Sequence, residues 1–304
     1  MTGYCSLTVA AANDMACPLH GGKVAMVAPA RKVSPKEMEF AVSWLRSMDV
    51  EPVFDQRLFA ADHIFAGDDE LRAAVIQSYL NRSDIDALWL ARGGYGSIRI
   101  IDKLDFSRFK QHPKPIVGFS DGTVFHGMMQ RLGIPSIHAS MPYFLENKTP
   151  EALQSLYDAL TGKPLHYEWP SSPLNRSGSA EAEIVGGNLS VLYGMLGSPS
   201  FPETEGKILF IEEVDEYIYH IERMLYGLKR AGKLYGLKAL MVGALTEIHD
   251  NPDPFGKSVE QAIFDVVKEY DYPVCFNFPA GHFPDNRALV FGTQASLNVM
   301  NNIN

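Results

Sequence analysis

Short apolar runs and longer amphipathic stretches alternate along the first half of the chain. Val24–Ala28 is a continuous apolar run closed by Pro29, the pattern of a strand buried on both faces. Ser34-Pro35-Lys36-Glu37 then reads as a helix start. Ser34 suits the N-cap, Pro35 the first helical position, and Glu37 completes a capping box. Phe40, Val42, Trp44, Leu45 and Met48 give that helix its apolar face. A strand fits Val50–Phe54, and a helix with an acidic opening fits Asp68–Leu80. Ala87–Ala91 and Pro115–Phe119 read as further strands. Each runs into a glycine-bearing turn, Arg92-Gly93-Gly94-Tyr95-Gly96 and Ser120-Asp121-Gly122-Thr123, and the second turn opens a helix to about Leu132. This rhythm predicts a parallel sheet covered on both faces, with ligands bound beyond the carboxyl ends of its strands.

The pattern changes over residues 148–179. A helix at Pro150–Leu160 leads into Trp169-Pro170-Ser171-Ser172-Pro173 and Asn175-Arg176-Ser177-Gly178-Ser179, which reads as a linker. Beyond it, strands fit Lys207–Ile211 and Leu237–Leu245, and helices fit Tyr217–Ala231 and Lys257–Tyr270. Strand-like segments follow at Val274–Phe278, Ala288–Phe291 and Ala295–Val299. The expectation is an α/β protein in three parts. These are an N-terminal parallel α/β domain over 1–147, a linker over 148–179, and a smaller C-terminal α/β domain over 180–304.

Composition narrows the partners. The 304 residues are 46% hydrophobic and carry a net charge of −9, which argues against nucleic acid or an anionic membrane surface. No run of about 18 apolar residues marks a membrane span. Cys5, Cys17 and Cys275 are odd in number and widely spaced, so neither a disulfide framework nor a zinc site is expected, and a reducing, cytoplasmic setting fits. Met1–Gly22 has an apolar patch, Leu7–Ala12, without the basic start of a secretory signal. It reads as an extra arm, frayed or packed.

The sharpest chemical feature is Gly118-Phe119-Ser120-Asp121-Gly122, a G-x-S-x-G sequence between a strand and a helix. Small flanking residues permit the tight turn that lifts a serine out of the sheet. The following helix offers free N–H groups for an oxyanion. The plainer reading is that Ser120 only caps the next helix. Among nine histidines, His282 is best placed, in the constrained loop Pro279-Ala280-Gly281-His282-Phe283-Pro284. Glu212 and Glu213 end the apolar run Ile208–Ile211, where a carboxylate needs a partner. The order Ser, Glu, His is that of α/β-hydrolases. His20-Gly21-Gly22 precedes the first expected strand and reads as an accident rather than an oxyanion loop. Arg92-Gly93-Gly94-Tyr95-Gly96 lacks the lysine of a P-loop and the placement of a dinucleotide fingerprint. It reads as close-approaching backbone supplying one N–H donor. No histidine or carboxylate cluster has metal-ligand spacing, and a serine-nucleophile mechanism needs neither metal nor organic cofactor.

These motifs together resemble the serine LD-carboxypeptidases, or muramoyltetrapeptide carboxypeptidases, a family that includes the microcin C immunity peptidases. The resemblance rests on Val24-Ala25-Met26-Val27-Ala28-Pro29, the Arg92–Gly96 turn, Gly118–Asp121, Gly186-Gly187-Asn188-Leu189, Leu209–Glu213 and Gly281-His282, in that order. It implies a Ser120–Glu212–His282 triad, with Glu213 standing where the family has Asp and Glu216 a weaker candidate. It implies an oxyanion hole of backbone N–H groups from Asp121 and from Gly93 or Gly94. It also implies two domains with the site between them, and a homodimer. The implied reaction removes a terminal D-amino acid from a small peptide, foremost the murein tetrapeptide. Arg92 is a candidate for the terminal carboxylate, and Tyr95 for the pocket wall. Other readings are hydrolysis of a peptidyl-nucleotide antibiotic, a general esterase, and a non-catalytic small-ligand binding protein. Trp169, in the expected linker, is too little to favour the antibiotic.

Overall fold

The computed structural model describes residues 3–11 and 21–300. From the N-terminus the strands are β1 (Tyr4–Val9), β2 (Lys23–Val27), β3 (Glu51–Val53), β4 (Ala87–Leu90), β5 (Ile116–Gly118) and β6 (Ser136–His138). They continue as β7 (Leu165–Pro170), β8 (Gly178–Asn188), β9 (Ile208–Val214), β10 (Ala239–Thr246), β11 (Val274–Cys275), β12 (Leu289–Phe291) and β13 (Gln294–Val299). The helices are α1 (Pro35–Ser47), α2 (Asp69–Leu80), α3 (Thr123–Arg131), α4 (Pro150–Leu160), α5 (Leu189–Gly194), α6 (Ile218–Arg230) and α7 (Val259–Val267).

Caps legible in the sequence set several of these boundaries. Ser34 and Glu37 form the reciprocal capping box of α1, with Ser34 N donating to Glu37 Oε2 at 2.7 Å. Asp68 Oδ1 accepts from Leu71 N at 2.7 Å to open α2, and Thr149 caps α4 ahead of Pro150.

A six-stranded sheet runs β12-β6-β5-β4-β2-β3, parallel throughout except for β12. A seven-stranded sheet runs β11-β10-β9-β8-β13-β1-β7. Its β8 to β11 side is parallel and its β13, β1, β7 side antiparallel. Carboxyl ends of β4, β5, β9 and β10 border one cleft between the sheets.

The sheets divide the chain differently from the sequence expectation. Tyr4–Val9 of the expected arm is an interior strand paired with β13 and with the edge strand β7, with Cys5, Leu7 and Val9 fully buried. Its period-2 signal is muted in the sequence because Cys5 fills an apolar position and Ser6 and Thr8 are short. The expected linker supplies α4 and the edge strand β7. In return β12, late in the chain, closes the first sheet. Val117 and Ile137 of the first sheet share a core cluster with Phe210 and Met241 of the second. Apolar packing therefore joins the two sheets directly. Residues 1–2, 12–20 and 301–304 lie outside the described residues, and with them Cys17 and His20 of the His20-Gly21-Gly22 motif.

Candidate active site

Ser120 lies two residues past the end of β5 and takes a left-handed backbone, φ 60°. That conformation costs a non-glycine residue on the order of 1–2 kcal/mol and persists only where neighbours hold it. Here Gly122 N donates to Phe119 O at 3.0 Å, and Ala139 N donates to Gly118 O at 3.0 Å. Behind the turn, His126 is wholly buried, with Nε2 2.9 Å from Gly118 O and Nδ1 2.8 Å from Ser136 Oγ. Burial pushes its pKa down to about 4, so it is neutral at pH 7. The turn presents Ser120 Oγ to the cleft.

His282 Nε2 lies 3.0 Å from Ser120 Oγ, and its Nδ1 lies 2.7 Å from Glu212 Oε2. Glu212 is fully buried. Burial lowers the His282 pKa, but the charge and hydrogen bond of Glu212, with the charge of Glu213, leave it above the ordinary histidine value. The loop is pinned by Asn286, whose Oδ1 accepts from Gly281 N at 2.8 Å. Gly281 packs against the acid, and a Cβ there would come 3.1 Å from Glu212 Oε2. Phe119 packs its ring 4.9 Å from the imidazole.

Alternation along β9 separates the two adjacent acids. Glu213 faces away from His282 and accepts from Asn188 Nδ2 (2.8 Å), Ser190 N (2.7 Å), Ser190 Oγ (2.7 Å) and Val214 N (3.0 Å). Burial raises its pKa against those hydrogen bonds. Asn188, which also caps α5, belongs to this structural network. Glu216 sits 2.7 Å from His220, not from His282.

The Arg92–Gly96 turn lies across from the elbow. A Cβ on Gly93 would stand 3.1 Å from Ser120 Cβ and 3.3 Å from its Oγ, so only glycine lets this backbone approach the nucleophile freely. Asp121 contributes more than its N–H. Its buried carboxylate accepts from Ser97 N at 2.8 Å and ties the turn to the elbow. Burial raises its pKa. Arg92 lines the cleft, but its guanidinium stacks 3.8 Å over the Tyr143 ring and donates to Lys32 O at 3.1 Å. Tyr95 is half-exposed, 6.0 Å from Phe65, and lines a smaller 360 Å³ cavity with Asn188 and Glu216. Among the described residues no cluster of metal-binding side chains is present.

The main cleft measures 660 Å³. Its first-sheet side carries Arg31, Arg92 to Gly94, Phe119 and Ser120, and its second-sheet side Val214, Asp215, Glu247 and His282 to Pro284. Residues 24–139 match the LD-carboxypeptidase N-terminal domain, and residues 181–297 match the LD-carboxypeptidase C-terminal domain. The chain belongs to the LD-carboxypeptidase family. It is 32% identical to a probable murein peptide carboxypeptidase of Bacillus subtilis (strain 168), over 91% of this chain and 89% of that one. It is 29% identical to the murein tetrapeptide carboxypeptidase of Pseudomonas aeruginosa, over 91% and 93% of the two chains. The crystal structure of muramoyltetrapeptide carboxypeptidase from Oxalobacter formigenes superimposes with a TM-score of 0.79 at 26% identity, covering 92% of this chain and 99% of that one.

Ser120 lies in the matched N-terminal domain, whereas Glu212 and His282 lie in the matched C-terminal domain of this LD-carboxypeptidase. Three contributors escaped the reading of the sequence: the Asp121 side chain, Asn286 and Phe119. Phe119 and Asp121 flank the serine in the elbow itself, and Asn286 follows His282 by four residues, so proximity to a motif was the available signal.

Proposed function

We propose that this carboxypeptidase is of the serine type and hydrolyses the amide between an L-centre and a C-terminal D-amino acid. The substrate class is the murein tetrapeptide, which loses D-alanine to leave the tripeptide. The observation that supports this most is the hydrogen-bonded chain from Ser120 through His282 to Glu212, assembled on an elbow at the floor of a cleft. The names of the Pseudomonas and Oxalobacter relatives support the substrate class.

In this mechanism His282 Nε2 takes the Ser120 proton as Oγ attacks the carbonyl carbon. Glu212 holds the ring with its proton on Nδ1 and stabilises the imidazolium. The backbone N–H groups of Asp121 and of Gly93 or Gly94 receive the oxyanion. A donor of this kind is worth about 10²–10³ in turnover. His282 then delivers its proton to the leaving nitrogen, and water cleaves the acyl-enzyme. The substrate residues approach from the cleft, so domain movement that narrows it would complete the site. The family likeness supports a homodimer. The free thiols of Cys5 and Cys275 suit a reducing compartment such as the cytoplasm.

Mass spectrometry of L-Ala–D-Glu–meso-diaminopimelate–D-Ala incubated with the wild type and with Ser120→Ala tests this reading. Release of D-alanine by the wild type alone, with an isomer ending in L-alanine spared, is the expected result. Folded wild-type protein that releases nothing from either peptide would overturn it.

A further inference from the structure

A carboxypeptidase must recognise a free carboxylate as well as cut an amide, and the machinery above contains no group for it. The carboxylate lies two bonds beyond the leaving nitrogen. His282 must reach that nitrogen to protonate it, so the carboxylate binds on the His282 side of the cleft. The acids Asp215 and Glu247 line the second-sheet wall there and repel it. Of the cleft arginines, Arg92 is engaged with Tyr143 and Lys32 O, and Arg31 is exposed at the rim.

Lys148 differs from both. It is half-buried and lines the cleft beside Phe119 and His282. Its Nζ donates to Phe283 O at 3.0 Å and stands 5.9 Å from the centre of the Phe119 ring, which also packs against the His282 imidazole. The next residue is bound to the same loop twice. Thr149 N donates to Pro284 O at 3.2 Å, and Thr149 Oγ1 donates to Asp285 Oδ1 at 3.1 Å. Lys148 is thus anchored to the loop that carries the base. No described carboxylate forms an ion pair with it, whereas Lys103, Lys163, Lys207, Lys229 and Lys257 each have one. A half-buried ammonium with one carbonyl for company lacks a counter-charge. Its two remaining N–H donors are available to an anion.

The geometry points to Lys148 as the residue that binds the terminal carboxylate of the substrate and so restricts cleavage to the last residue. This rests on the carboxypeptidase reading and adds a specificity determinant to it. The neutral alternative is that Lys148 only braces Phe283, and so positions His282.

Hydrolysis of the tetrapeptide and of its C-terminal amide separates these roles. The wild type prefers the acid, and Lys148→Met lowers kcat/KM for the acid by about 10- to 100-fold while changing the amide little. The preference therefore collapses. Lys148→Arg restores part of it. A bracing role would depress both substrates equally and leave the ratio unchanged, which overturns the proposal. So would a ratio that collapses in Arg31→Gln and survives in Lys148→Met. If wild-type protein cleaves neither peptide, the carboxypeptidase reading falls. Calorimetry then still decides on Lys148, through acid-over-amide binding by Ser120→Ala compared with Ser120→Ala/Lys148→Met. Equal preference in those two proteins refutes the assignment.

Discussion

The two halves of the site are built in different ways. The nucleophile half is local: Gly118 to Gly122 makes the elbow, and Asp121 binds it to Ser97 just beyond the glycine turn. The base half is long-range. Glu212 and His282 are 70 positions apart and meet only because β9 and the loop after β11 end at the same place. A local half can be strained, as Ser120 is, because its own turn and the buried His126 behind it hold the geometry. A long-range half relies on buried polar partners, here Asn286 for the loop and Glu212 for the ring. Strain therefore positions the nucleophile, whereas electrostatics positions the base.

The largest test separates Glu212 from Glu213. Glu212→Gln should lower kcat about 10⁴-fold with the fold intact, because the imidazole loses its orienting charge. Glu213→Gln should change kcat less than about tenfold but reduce stability by about 1–3 kcal/mol, through its network with Asn188 and Ser190. Kinetics and urea melts on both proteins check this, and equal kinetic losses would erase the distinction drawn along β9.

Acid should next find the nucleophile half. The pKa of His126 is depressed from 6.5 to about 4 in the fold, so the unfolded chain binds more protons between those values. Its neutral burial contributes fully above pH 6.5, and that contribution is lost as pH falls toward 4. The loss is on the order of 3 kcal/mol, and urea midpoints at pH 7 and 4.5 for wild type and His126→Gln measure it. An equal drop in both proteins would remove His126 from the account.

Gly93→Ala probes the contact between turn and elbow. The added Cβ presses on Ser120 and on Met141 Cε, both at 3.1 Å. Met141 can yield, but the elbow cannot. The expected outcome is a kcat loss of about 10- to 100-fold with little change in melting temperature. A loss of stability without a loss of rate would move the close approach from catalysis to folding.

The smallest effect is a shift in a pH profile. Burial lowers the pKa of His282, but the charge and hydrogen bond of Glu212, with the charge of Glu213, leave it above 6.5. Neutral imidazole is the active base, so the acid limb of kcat/KM should lie above pH 6.5 and move down in Glu212→Gln. The stabilisation this pair adds is complete below pH 6.5 and declines as pH rises through the folded value. It therefore runs opposite to that of His126. A limb that stays in place without Glu212 would sever the acid from the base.

Where a feature depends on neighbours in the chain, the sequence determined it. The capping box of α1, the N-cap of α2, the strand before each glycine turn and the serine elbow all follow from residues within about four positions, the range of a helical turn. Motif order also pointed to Ser120, Glu212 and His282, although Glu212 and Glu213 were separable only through the family's pattern. Tertiary structure decided what depends on pairing across the chain. It placed Tyr4–Val9 inside the second sheet next to its edge, turned Leu165–Pro170 from linker to edge strand, and sent Leu289–Phe291 to the first sheet. It also set Lys148 beside a loop more than 130 positions away. Strand partners and buried charges are chosen by packing and desolvation over the whole molecule, and no local pattern of residues encodes them.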